Sequence, residues 1–377
     1  MAEADLMHQR PQVSQPKDPE MAVRGALSAI PGDVREHCSR FFLSDVKEFM
    51  TWLNETEHRL TESSHEASTP SLRKEVDARF VDIIDRGEAI VDGIRKPVAK
   101  KAVKAAFRRA IESRTAGNPF SKRSLEKPRG YPGDYLMMEM LYANQHDLSG
   151  GIAGVLDRFV MDHYECVANR KNWVKAHLRA RVARPADSDA PLRILTLGSG
   201  PCREWFELEQ ELDEAERQRF FNSNIHLTCL DQDELALEFC RVRFSQSALV
   251  RSVEYVATSL LGFTKSEGWI ERAGTFDVVY GAGIADYFYD EMLSSIVTSG
   301  FSLLKPDGEL TITHKDSETY NFRIADWMYD WVFVRRSERE FAALFRQAVS
   351  MLRMPFECRI ERDATGEMMF GVARRLP

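Results

Sequence analysis

The sequence predicts an α/β protein: an N-terminal helical region, then a parallel sheet covered on both faces, then an antiparallel C-terminal hairpin. Three observations predict it. Between Met21 and about Thr115 the apolar residues recur at helical spacing, as in Phe42, Val46, Phe49, Met50 and Leu53 and again in Val76, Phe80, Ile83 and Ile84. Beyond Leu192 the pattern changes to short β-rich runs separated by helical segments, which suits a parallel sheet. The chain then ends in MPFECRIER, the turn DATGE and MMFGVARRL, which reads as a hairpin.

A chain of 377 residues with 44% hydrophobic content has enough apolar material for a sizeable core. Its 51 basic and 58 acidic residues leave a net charge of -7, so no general positive field recruits nucleic acid or an anionic membrane. Six cysteines stand apart without CxxC or Cys/His metal spacing, which reads as buried free thiols in a reducing compartment and no metal site. The N-terminus has no apolar leader core, and no segment offers the roughly 18 uninterrupted apolar residues of a membrane span. A cytoplasmic protein without membrane or nucleic-acid partners is expected.

Residues 1–20, rich in Gln, Pro, Glu and Asp, are expected to form a disordered tail. Residues 21–126 form the expected helical domain, broken near Ser63–Pro70 and at Ala116–Pro119, and are a candidate homodimer surface. Residues 127–190 form a connector. It opens with KPRGYPGDYLMMEMLY, whose prolines and glycines make a rigid turn before a helix that Asp134 can cap. One helix from Gly151 to about Val182 follows, carrying Tyr164, Asn169, Arg170 and Trp173, and the linker ARPADSDAP ends the connector. Residues 191–377 hold the sheet, with strands expected at Leu192–Leu197, His226–Leu230, Val253–Ala257, Phe276–Tyr280 and Glu309–Thr313. Helical periodicity marks Cys202–Phe220 and Asp233–Phe244. Trp327, Tyr329, Trp331 and Phe333 read as helix packing that continues through Phe341 and Leu344.

In an open parallel sheet a ligand sits beyond the carboxyl ends of the strands, near the reversal of strand order. The first strand runs into LTLGSGPCREW, where Gly198, Ser199, Gly200 and Pro201 let backbone approach a ligand ahead of a helix N-terminus. A dinucleotide loop needs GxGxxG, and Arg203 stands at the last glycine position. Alone, GSGP also fits a plain strand-to-helix turn. The second strand ends in CLDQDELAL, which places Asp231 to accept both hydroxyls of a ribose, while Asp233 fits the N-cap of the next helix. Thr258 and Ser259 end the third strand, where their hydroxyls either meet an adenine edge or cap a short helix. The fourth strand, FDVVY, runs into GAGIADYF, in which Gly281 and Gly283 keep the site open and Asp286 and Tyr287 stand behind. LLKPDGELTITH supplies a turn and a fifth strand whose end presents His314 and Lys315.

Taken in order, LGSGP, LDQD, FDVVYGAG and LLKPDGEL resemble the motifs of class I S-adenosylmethionine-dependent methyltransferases, over about half the chain, Leu192 to Leu376. The resemblance implies a Rossmann-like seven-stranded methyltransferase sheet with a C-terminal antiparallel hairpin, and S-adenosyl-L-methionine as cofactor. It implies that Gly198, Ser199, Gly200 and Pro201 line the methionine side and that Asp231 holds the ribose. Gln232 would border the adenine, Thr258 and Ser259 would lie near the ring, and Gly281 would flank the sulfonium. The acidic residue common two positions before the first glycine is Thr196 here, and the third glycine position is Cys202. Both departures leave the donor's amino-acid portion to other residues. A narrower resemblance rests on KPRGYPGDYLMMEMLY, Ala168-Asn169-Arg170 and ADWMYDWVFVRR. These look like the bacterial family of 3-hydroxypalmitic acid methyl ester biosynthesis proteins, which methylate a fatty-acid carboxyl group, and imply a small-molecule acceptor.

Methyl transfer is an in-line displacement in which positioning and desolvation supply most of the catalysis. A carboxylate acceptor is already ionised at neutral pH and needs no base. Tyr320, Asn321, Arg323 and His314 are then the candidates to orient it. A hydroxyl or amine acceptor would need a base, for which His314 and Asp286 come first, although a lone His at a strand end is commonly structural. The PRGYPGDY segment is either a rigid connector packed by Tyr131 and Tyr135 or a cover over the cofactor mouth. In the second reading Arg129, Tyr131, Asp134 and Tyr135 reach the ligand, joined by Asn169 and Arg170, and the hydrogen-bonding aromatics favour it. Alternatives are an O- or N-methyltransferase of another metabolite, an NAD(P)-dependent oxidoreductase, and a nonenzymatic ligand-binding scaffold. A nucleic-acid substrate is disfavoured by the net charge and by the lack of an NPPY-like tetrapeptide after the fourth strand.

Overall fold

A computed structural model describes residues 18–62, 70–115, 119–143, 151–184, 190–265 and 275–377. The expected tail up to residue 17, the breaks at Ser63–Pro70 and Ala116–Pro119 up to their closing prolines, and most of the linker lie outside the described residues, and Pro70 and Pro119 each open a helix. The chain divides into two compact units, Met1–Tyr164 with Asn321–Val332, and Glu165–Tyr320 with Phe333–Pro377.

The first unit is helical. Its first described helix, Pro19–Ser28, starts where Asp18 accepts the Glu20 N–H, so residues 18–20 open a helix where a tail was expected. Further helices run at Gly32–Arg40, Lys47–Glu62, Pro70–Asp92, Pro97–Thr115, Pro119–Glu126, Tyr135–Ala143 and Gly151–His163, with a π-helical turn at Phe41–Val46. The core is aromatic: Phe80 stacks on Phe159 with ring centroids 4.8 Å apart and meets Phe49 edge-on at 4.9 Å. Trp327, on the helix Phe322–Tyr329, is fully buried between Phe41 and Phe107. Gly87 makes room for that indole, because a Cβ there would collide with it. The indole N–H donates to Glu88, and Lys104 bridges Glu88 at 3.1 Å and Asp326 at 2.7 Å. Residues 321–332 are thus an integral part of the helical unit.

Two helical expectations change. The aromatic run does not continue as one helix through Leu344: its helix ends where Asp330 turns left-handed at φ 51°, and the helix Glu338–Ser350 begins afresh on a Ser337/Glu340 capping box. The helix expected from Gly151 to Val182 is two, Gly151–His163 and Glu165–Val182. The break falls at Tyr164, whose buried ring packs on Phe120 and Trp331 within the first unit.

The second unit is built on seven strands: β1 (Arg193–Leu197), β2 (His226–Asp231), β3 (Ser252–Ala257), β4 (Phe276–Gly281), β5 (Leu304–Lys315), β6 (Phe356–Arg362) and β7 (Met368–Arg375). They lie in the order β3-β2-β1-β4-β5-β7-β6. β1 to β5 run parallel, and β7 is antiparallel to both β5 and β6. β1, β2 and β4 are almost continuously buried because helices cover both faces, which is why they read as apolar runs instead of alternating ones. One face packs Leu293, Ile296 and Phe301 of the helix Asp290–Ser302 with Phe341 and Phe345 of Glu338–Ser350. The other packs Val174 and Leu178 of Glu165–Val182 with Trp205 and Leu208 of Arg203–Glu211 and Leu237 and Cys240 of Glu234–Phe244. β5 is longer than expected. The Pro-Asp-Gly segment, with Asp307 at φ 65°, lies inside it as an irregularity that shifts the β4/β5 register. Among the described residues no helix is long and apolar enough to cross a membrane.

Candidate functional site

β1 leaves the sheet at Leu197 and turns through Gly198 (φ 63°), Gly200 (φ 51°) and Cys202 (φ 49°) into the helix Arg203–Glu211. Cys202 therefore adopts the left-handed conformation that a third glycine would take. Its burial compensates: the Cys202 N–H donates to the Ser199 carbonyl at 3.2 Å, and its thiol lies 3.7 Å from that of Cys229. A Cβ on Gly198 would meet Ile284 at 2.7 Å, whereas Gly200 faces open space. The buried Ser199 hydroxyl has no hydrogen-bond partner among the described residues, so it is a polar atom that a ligand can satisfy.

Asp231 closes β2. Its carboxylate accepts the Gly200 N–H at 2.8 Å on one oxygen and the Asp233 N–H at 2.9 Å on the other. Burial holds the carboxyl above its ordinary value in spite of these bonds. Asp233 takes the N-cap of Glu234–Phe244 by accepting the Leu235 N–H, which frees Asp231 from that duty. Gln232, between them, is exposed. The Thr258 N–H donates to the Asp231 carbonyl at 2.9 Å, and Ser259 caps the helix Leu260–Lys265 by accepting the Gly262 N–H at 3.0 Å.

At the end of β4, Gly281 abuts Ile284, and Gly283 (φ 87°) lies directly against the buried Arg170 guanidinium, where any Cβ would collide. The structure thus brings Arg170, from the helix Glu165–Val182, to the glycine turn of β4. Asn169 faces elsewhere and donates to Asp363 at 2.9 Å. Nearby lies Glu204, which the sequence gives no reason to single out. It sits in the first turn of the helix after the Gly198–Cys202 loop, and the Tyr280 hydroxyl of β4 donates to it at 2.6 Å. The Trp205 indole in turn donates to the Tyr280 oxygen at 2.9 Å. Burial raises the Glu204 carboxyl.

The end of β5 is different in kind. Asp286 lies 2.6 Å from His314 Nδ1 and 2.7 Å from Lys315 Nζ, and it also accepts the Lys315 N–H at 3.0 Å. The Lys315 ammonium stands 4.2 Å over the Phe333 ring and 5.5 Å over that of Tyr320. Asp286, His314, Lys315 and Tyr320 are all buried. Burial alone would raise the Asp286 carboxyl, but the Lys315 ammonium and then His314 outweigh it and hold the group far below the usual carboxylate range. Asp286 in this arrangement is a poor proton acceptor. His314 Nε2 is buried without a hydrogen-bond partner among the described residues.

The remaining expected site residues fall in the first unit. Arg323 pairs with Asp85 at 2.6 Å on an exposed face, and Asn321 caps its helix. Asp134 takes Arg123 at 2.8 Å and caps the helix Tyr135–Ala143 through the N–H groups of Leu136 and Met137. Tyr135 is buried at the start of that helix and Tyr131 is half-buried ahead of it.

No protein-family model matches the chain, and no curated protein sequence does so. Solved structures resemble it at a distance. A possible exported protein from Bordetella parapertussis is 15% identical over 65% of this chain and 80% of that one, with a TM-score of 0.47. The 1,6-didemethyltoxoflavin-N1-methyltransferase of Burkholderia thailandensis is 18% identical over 55% and 79%, with a TM-score of 0.37. Magnesium protoporphyrin IX methyltransferase from Synechocystis is 12% identical over 58% and 87%, with a TM-score of 0.40. The class of the second unit rests on its own topology: strand order β3-β2-β1-β4-β5-β7-β6 with β7 antiparallel is a Rossmann-like methyltransferase sheet.

Proposed function

We propose that the protein transfers the methyl group of S-adenosylmethionine to a carboxylate of a small, fatty-acid-like molecule, giving a methyl ester. The observation that carries this reading is the convergence, at the carboxyl ends of β1, β2 and β4, of the Gly198–Gly200 turn, the Asp231 carboxylate and the Gly281–Gly283 turn. Open space at Gly200 and the unsatisfied Ser199 hydroxyl fit a ligand in the loop. In this reading Asp231 accepts the ribose hydroxyls, Gln232, Thr258 and Ser259 border the adenine, and Arg170 meets the donor carboxylate at Gly283. When bound, the donor supplies an electrophilic methyl group on a sulfonium, and a neutral thioether leaves.

The β5 end favours an acceptor that arrives as an anion. The Lys315 ammonium neutralises Asp286 and His314 is fully buried, so neither is presented as a general base. An ionised carboxylate needs none. Purified protein with methyl-labelled S-adenosylmethionine and a panel of 3-hydroxy fatty acids should yield labelled methyl esters by mass spectrometry. Label transferred only to hydroxyl or amine acceptors would replace the carboxylate reading, and absence of any transfer together with absence of donor binding would remove the methyltransferase one.

A further inference from the structure

The donor is an α-amino acid at one end, and Thr196 stands where the related motifs carry an acid. Some other group must neutralise the α-ammonium as it leaves water. Glu204 has the chemistry and the place. It is 8% exposed, it is in the first turn of the helix that follows the Gly198–Cys202 loop, and among the described residues no ion pair reaches it. Its only side-chain hydrogen bond among those residues comes from Tyr280, whose proton is directed to Glu204 because the Trp205 N–H occupies the Tyr280 oxygen. Tyr280 is the register partner of Thr196 across β1 and β4, so the two share one face at the strand ends. The carboxylate therefore reaches from the helix the neighbourhood that an acid at Thr196 would reach from the strand. Arg170 and Lys171 of the helix Glu165–Val182 are close enough for their charge to act on it, and the Arg170 guanidinium lies against Gly283. A buried carboxylate without an ion-pair partner is costly unless a ligand completes it.

We propose that Glu204 receives the α-ammonium of the methyl donor while Arg170 receives its α-carboxylate, the two forming a subsite for the amino-acid zwitterion; this rests on the donor reading above. Glu204 thus supplies the acid that the β1 motif lacks. The subsite reads the amino-acid end alone, so ligands sharing the adenosine but lacking that end should be indifferent to it.

The test is calorimetric titration of the full chain with S-adenosylhomocysteine and with 5′-methylthioadenosine, which share the thioether and the nucleoside and differ in the amino acid. Glu204→Gln is expected to weaken S-adenosylhomocysteine about 10- to 100-fold and to leave 5′-methylthioadenosine within about twofold. Equal weakening of both ligands, or of neither, overturns the subsite while leaving the donor reading intact. Binding of neither ligand by the wild-type chain overturns the donor reading and the subsite with it. Replacing a buried charge by a neutral isostere should leave the melting temperature unchanged or raised.

The wild-type protein gives a second measurement that no folding defect can confound. The groups facing Glu204 are Arg170 and Lys171 from their helix, Tyr280 from β4, and the thiols of Cys202, Cys229 and Cys240. As pH falls through the raised Glu204 value, affinity for S-adenosylhomocysteine should fall relative to that for 5′-methylthioadenosine. A ratio independent of pH overturns the proposal. Asp231 affects both ligands alike and so cancels in that ratio.

Discussion

At the ends of β1 and β2 the buried carboxylates of Asp231 and Glu204 meet N–H and O–H donors and no ion-pair partner among the described residues, whereas at the ends of β4 and β5 the buried carboxylate of Asp286 meets an ammonium and an imidazole. The first arrangement leaves negative charge that a bound molecule can use. The second carries its counter-charge within the protein. Burial raises Asp231 and Glu204 while Lys315 and His314 overcome burial at Asp286, so the same residue chemistry is pushed in opposite directions a few strands apart. In the proposed reading the contrast separates carboxylates that serve a ligand from one paired within the protein.

The largest effect should come from the committed side. Asp286→Ala leaves the buried Lys315 ammonium without its counter-charge, at an expected cost of about 3–5 kcal/mol read as a fall in melting temperature. A loss under about 1 kcal/mol would mean that Lys315 finds another partner, and the contrast would fail. Asp231→Asn should act chiefly on ligand. We expect S-adenosylhomocysteine to bind about 10- to 100-fold more weakly by calorimetry. The structural loss, from one poorly satisfied backbone donor, should be about 1–3 kcal/mol. Unchanged affinity would take Asp231 out of the site.

Acid sharpens the comparison further. The folded Asp286 carboxyl lies below its ordinary 3.8, so its stabilisation is complete above that pH and is lost as pH falls through the lower folded value. The folded Asp231 carboxyl lies above 3.8, so the wild type gains stability as pH falls through the raised value toward 3.8. Melting temperatures from about pH 7 to about pH 3 should show the gap to Asp286→Asn closing and the gap to Asp231→Asn widening. Parallel curves would show that the two groups do not differ in this way. The smallest effect is expected at Cys202, where glycine would relieve a left-handed backbone but lose a buried side chain. These terms oppose, so Cys202→Gly should shift urea stability by less than about 1 kcal/mol. A loss beyond about 2 kcal/mol would show that contact with the Cys229 and Cys240 thiols dominates the loop.

Much of the sheet was legible because buried parallel strands write themselves as apolar runs, and the Asp231/Asp233 division of labour follows from strand-end and N-cap rules applied to CLDQDELAL. What escaped depends on distant partners. Glu204 reads as an acidic residue in a first helical turn until Tyr280, 76 residues later, is brought to it. Asp286 and His314 look like base candidates at a strand end because the sequence does not display the ammonium of Lys315 closing on them. The Pro-Asp-Gly segment signals a turn, but the β4 pairing carries it within β5 as an irregularity. The aromatic run after β5 reads as packing, but the sequence does not show that Trp327 packs in the core of the helical unit, a choice visible only through Gly87, Phe41 and Phe107.

That last segment has a consequence for the order of synthesis. Every other described residue of the helical unit precedes Glu165, but Trp327 emerges from the ribosome only after five strands of the sheet have been made. At a bacterial or eukaryotic elongation rate the helices wait on the order of ten seconds for their indole. During that interval Gly87 has no indole to pack against, and Glu88 and Lys104 lack Trp327 and Asp326. A nascent chain stopped before Asn321 should therefore be more sensitive to protease in its helical unit than the finished protein, with vulnerability set by translation and not by the equilibrium stability of the mature fold.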